Sequence, residues 1–96
     1  MSDDTDDQFY ARADAHIDLS NVQLKDVGAG KVSASMMYAN ARFAAWLSAT
    51  WCGSGEEMTA KRGENIDYFV TQFRAMLEEK HDDYAGHFDT YMKRDT

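Results

Sequence analysis

The sequence predicts an all-α fold: a small antiparallel bundle of three helices with a kinked or separate short C-terminal fourth. Three observations predict it. The run over residues 32–52, VSASMMYANARFAAWLSATWC, carries Arg42 as its only charge and contains neither Gly nor Pro. Such a helix is apolar on most of its circumference and has to be covered by other helices or by another subunit. Two breaker clusters, Gly28-Ala29-Gly30 and Cys52-Gly53-Ser54-Gly55, divide the chain into three. No strand-like alternation of useful length and no internal repeat competes with this reading.

Helix one is expected to start near Asp6, behind an acidic tail over residues 1–7. Phe9, Ala13, His16, Ile17, Ser20, Leu24 and Val27 recur at helical spacing, while Arg12, Asp14, Asp18 and Lys25 mostly fall off that stripe. The tail aspartates can cap the helix and complement its positive end. Gly28 stands where a left-handed C-terminal cap is usual. The short Gly28-Ala29-Gly30 link then turns helix two back antiparallel.

Helix two carries two seams. One runs Val32, Met36, Ala39, Phe43, Trp46 and Thr50. The other runs Met37, Ala41, Ala44, Ser48 and Trp51, largely small residues that allow close approach. The middle helix of a bundle shows one seam to each neighbour.

Ser54 and Glu57 have the S-x-x-E spacing of a capping box, so helix three should begin near Gly55 or Glu56. Its stripe is Met58, Arg62, Ile66, Phe69, Val70, Phe73, Met76, Leu77, Tyr84, Phe88 and Tyr91. Glu57 and Lys61 form a favourably ordered i,i+4 pair. Gly63 weakens the first turns by about 1 kcal/mol relative to Ala. Unbroken to Arg94, this helix would reach roughly 60 Å, twice its neighbours. Either the chain breaks or kinks near His81-Asp82-Asp83, the reading favoured here, or its end projects beyond the bundle. Asp82 or Asp83 would cap a short helix over residues 84–94, with Lys93 and Arg94 at its negative end.

The segments VSASMMYANARFAAW and YFVTQFRAMLEEKHDDY resemble a family of short bacterial proteins known only as a domain of unknown function. The resemblance covers roughly residues 8–84. It is carried by Phe9-Tyr10, by Tyr38, Ala39, Arg42 and Phe43, and by Tyr68-Phe69, Phe73 and Met76-Leu77. It implies a small helical bacterial protein and brings no activity, cofactor, partner or catalytic residue.

Composition bounds the function. Ninety-six residues, 44% hydrophobic and 28% charged, make one folded domain, taken as residues 8–96. The net charge of −7 repels nucleic-acid phosphates and anionic lipid, and Lys and Arg are scattered. The acidic excess at Asp3, Asp4, Asp6 and Asp7, and at Glu78, Glu79, Asp82 and Asp83, reads as solvated faces or helix-end charge. One cysteine forbids an intrachain disulfide and suits a reducing compartment. The acidic N-terminus is unlike a signal peptide, and Arg42 with Asn40 argues against a membrane span. No nucleic acid, no membrane and a cytoplasmic setting are the expectations.

Few residues suggest chemistry. Glu78 and His81 form one E-x-x-H pair, with Asp83 and His87 close by at i,i+4 spacing. Transition metals take such ligands, but di-iron bundles use two such pairs with two further glutamates, and an acidic helix end with surface histidines is the simpler reading. Cys52 has no histidine placed beside it and reads as a small apolar residue at a helix end. Arg42, with Tyr38 on its face, allows three accounts. Its guanidinium snorkels to water, or pairs with Asp14, Asp18 or Asp67, or binds an anion. Trp46, Trp51, Tyr38, Phe43, Phe69, Phe73 and Tyr68 could line a ligand pocket, though at this spacing they read as core.

The sequence thus points to a non-enzymatic structural or interaction module that self-associates, a dimer being favoured, or that binds another protein. No cofactor, metal or catalytic residue is assigned. The interface would be Met37, Ala41, Ala44, Ser48 and Trp51, or the tail Tyr84, Phe88 and Tyr91. The alternatives are a small-ligand or anion-binding bundle around Arg42 and, more remotely, a metal-dependent enzyme using Glu78, His81, Asp83 and His87.

Overall fold

The structure is a computed structural model and describes residues 4–93; Asp3 and Arg94, named above, lie outside the described residues. The described residues form α1 (Phe9–Gln23), α2 (Ala29–Thr50), α3 (Gly55–Ala60), α4 (Arg62–Gly86) and α5 (Phe88–Met92), with no strand among them. The all-helical class is as expected. The helix boundaries differ in four places, each with a local cause.

Asp6 opens α1 from two residues outside its N-cap. Its Oδ1 accepts from the Gln8 amide at 3.0 Å and from the Arg12 guanidinium at 2.9 Å. The hydrogen bond from Arg12 holds this carboxyl below the usual carboxylate range. Gln8 itself is the N-cap and offers no side-chain bond.

The first correction concerns the end of α1. The helix stops at Gln23, with Leu24 as a right-handed C-cap, and no glycine among the described residues has positive φ. The amides of Lys25 and Asp26 reach back three residues, to Val22 and Gln23, which tightens the chain out of α-geometry before Gly28. The second correction follows: Gly28 stands immediately before the next helix and opens it. Its carbonyl accepts from Lys31 and Val32, and Ala29 and Gly30 lie inside α2. At its far end, Thr50 Oγ1 donates to Leu47 at 2.6 Å, and the amides of Trp51 and Cys52 reach back three residues.

Ser54 caps α3 as its spacing predicts. Its Oγ accepts from the Glu57 amide at 3.1 Å, and Glu57 Oε1 accepts from the Gly53 amide at 2.8 Å. Lys61 Nζ lies 3.5 Å from Glu57 Oε2. The Gly53 amide, and then Lys61, hold the Glu57 carboxyl below its ordinary value.

The third correction is that the expected helix three is two helices. Lys61, at φ −98° and ψ 11°, sits between α3 and α4. Its amide is shared among the last carbonyls of α3. The fourth is the position of the late break. His81, Asp82 and Asp83 stay inside α4, and the helix ends at Gly86 with His87 as its C-cap at φ −127°. The last helix is Phe88–Met92, shorter than residues 84–94, and closes at Lys93 in the left-handed region at φ 54°.

The chain divides into two compact units, Met1–Ala45 and Trp46–Thr96. In the first, α1 has no buried residue. Its one buried apolar side chain among the described residues is Val32, 5% exposed. In the second, α3 and α5 each lie against α4. Its buried polar residue is Ser48, and Leu47, Cys52, Met58, Tyr68 and Phe69 are half-buried. No helix among the described residues is long and apolar enough to cross a membrane.

Candidate functional site

Helical periodicity puts apolar side chains on one face, and elsewhere such a face disappears into a core. Here the faces stay open. Ile17, Val22, Met37, Phe43, Trp46, Val70, Phe73, Met76, Leu77 and Tyr84 are all exposed. Single exposed apolar side chains are ordinary on protein surfaces, whereas contiguous runs of them mark interaction surfaces.

One such run lies on α4. An open recess of about 420 Å³ there is lined by Val70, Phe73, Arg74, Leu77, Glu78, His81 and Asp82. All seven residues belong to one helix. Arg74 Nη1 stands 3.6 Å from Glu78 Oε2, an exposed i,i+4 pair within that lining.

The neighbouring flank of α4 is occupied. Trp51 lies parallel to Phe69 at 5.9 Å between centroids and edge-on to Tyr68 at 6.0 Å. The corner of α4 with α5 is also tied. Tyr91 donates its hydroxyl to Asp83 Oδ2 at 2.8 Å, and the Tyr84 and Tyr91 rings lie 4.5 Å apart. His87 Nδ1 is 3.2 Å from Asp83 Oδ1. Donation to Asp83, beside that carboxylate's charge, raises the Tyr91 phenol above its ordinary value.

The residues singled out from the sequence divide accordingly. Along the small-residue seam, Met37 and Ala41 are exposed, Ala44 is half-buried, Ser48 is buried, and Trp51 is stacked on Phe69. Arg42 and Tyr38 are exposed on α2. An exposed guanidinium has no burial cost for a partner to offset.

Of the four metal candidates, Glu78 faces Arg74, His81 lines the recess, and Asp83 with His87 belongs to the α4–α5 corner. No group of three or more His, Cys, Asp or Glu able to hold a metal occurs among the described residues. Cys52 is a half-buried free thiol. Tyr84 and Tyr91 hold each other, so the expected aromatic tail is partly spent within the chain.

Sequence reasoning assigned Val70, Phe73 and Leu77 to an inner stripe and missed them as surface. Their spacing identifies an apolar face, and spacing alone is silent on what covers it.

A family model described as "Protein of unknown function (DUF3144)" matches residues 9–85. The fold is similar to the NMR structure of the protein NB7890A from Shewanella sp. The two are 37% identical, with a TM-score of 0.81, over 97% of this chain and 99% of that one. A search of the curated proteins finds no match.

Proposed function

This chain belongs to the DUF3144 family of unknown function, and from that premise we propose that it is a non-enzymatic interaction module that associates with itself, a helical bundle being completed between copies. One observation carries the reading: apolar side chains of α1, α2 and α4 remain exposed in the single chain. Val32 is the one buried apolar side chain among the described residues. A domain of this length needs a core, and one that does not close internally is closed by association. The partner is a second copy, because both faces are supplied by the same chain and a two-fold pairing satisfies them at once.

The test is the solution mass by light scattering on a sizing column. A mass near twice 10.9 kDa at micromolar concentration is the expected result. A single-chain mass persisting to millimolar concentration overturns the reading.

A further inference from the structure

Resting on that reading of self-association, we infer that the two copies meet through the open face of α4, paired antiparallel about a two-fold axis level with Ala75. The face is a regular seam. Ile66, Val70, Phe73 and Leu77 follow one another at steps of four, three and four, and Lys80 and Tyr84 continue them at three and four. Alternating threes and fours are the spacing of helices that pack lengthwise side by side. All six residues lie inside α4 (Arg62–Gly86), and the apolar five are each about half exposed, from 43% at Ile66 to 55% at Val70.

Reversing the seam onto itself gives matched layers. Phe73 of one copy comes level with Leu77 of the other, and Ile66 with the half of Tyr84 that Tyr91 leaves exposed. Val70 comes level with Lys80, whose aliphatic stem covers it while the ammonium reaches water. The register places the axis close to the middle of α4, so nearly the full helix is used. Arg74 of the two copies approach one another beside the axis, and each arrives with Glu78 already 3.6 Å away, which tempers their repulsion.

Area supports a second copy as the occupant. Five half-exposed large side chains remove on the order of 500 Å² per copy from water, and the long polar side chains along the edge bring this toward the roughly 800 Å² per partner of a standard interface. The α2 seam offers less, since Ser48 is already buried and Ala44 half-buried. The flank at Phe69 is taken by Trp51.

Two measurements test the inference. In the first, solution masses are compared for wild type, Leu77→Glu on α4 and Met37→Glu on α2. Both positions are exposed in the single chain, so neither change opens a core. The expected result is at least a 100-fold weaker dimer for Leu77→Glu and an unchanged mass for Met37→Glu. The reverse pattern overturns the α4 interface and leaves self-association standing. A monomeric wild type overturns both.

The second fixes direction, using spin labels at Glu64→Cys or Glu79→Cys in a Cys52→Ala chain. At about 1.5 Å per residue, antiparallel pairing separates the Glu64 labels by roughly 30–40 Å and the Glu79 labels by roughly 15–20 Å. Short distances at both positions mean a parallel pairing, and long distances at both mean a different face. Either result overturns the inference.

Discussion

The Trp51 indole lies parallel to the Phe69 ring, with 4° between planes and 5.9 Å between centroids. Trp51 follows the last residue of α2, so this stack fixes the end of that helix on α4. Tyr68 meets the same indole edge-on. Trp51 is itself 48% exposed, so its removal loses part of a full aromatic burial. Trp51→Ala is expected to lower stability by about 1–2 kcal/mol. Urea unfolding followed by circular dichroism measures it, and a change under 0.3 kcal/mol would mean that the stack is decorative.

The cap at α3, where Ser54 accepts from the Glu57 amide and Glu57 from the Gly53 amide, makes a second prediction. Ser54→Ala removes the acceptor for the Glu57 amide and should cost about 1 kcal/mol. The folded-state value of the Glu57 carboxyl is depressed. Its contribution is therefore present above the ordinary value of 4.5 and is lost as pH falls through the folded value. Protection of the amides at residues 55–58, taken against the intrinsic exchange rate at each pH, should fall on acidification in wild type. In Glu57→Gln that fall should be absent.

The capping box was legible because it is local chemistry: two side chains and two amides at fixed spacing. The ends of α1 and α4 were not. Gly28 suits a C-terminal cap, yet the amides of Lys25 and Asp26 had already tightened the chain, and the glycine opens α2 instead. Asp82 and Asp83 suit an N-cap, yet they continue α4, and Asp83 receives Tyr91 from beyond the break. Seams were legible as patterns on α2 and α4. Their exposure was not, because it depends on what lies opposite. The pairing of Asp83 with Tyr91 spans eight residues across a bend, so helical spacing gives no sign of it.

Gly63 sits in the first turn of α4 with negative φ, and an added Cβ would meet nothing within 4 Å. Gly63→Ala should stabilise the protein by roughly 0.5–1 kcal/mol, chiefly by restricting the unfolded chain. A rise in Tm of a few degrees is the expected reading. A fall would show that some partner approaches this backbone closely.

The Tyr91 phenol donates to Asp83, so its folded value lies above 10.0. A raised folded value stabilises the protein below the unfolded value and ceases to do so as pH climbs through the folded one. Ring resonances of Tyr91 should titrate later than those of an ordinary tyrosine, and in Asp83→Asn they should move back toward it. Unchanged titration in that variant would remove Asp83 as the cause.

The open apolar faces have a consequence for the amount of protein a cell makes. Under the proposed pairing, stability follows mass action, and the folded share rises with concentration. Halving expression would then remove more than half of the functional protein. Excess copies would be self-protecting, and scarce ones would be the first exposed to proteolysis.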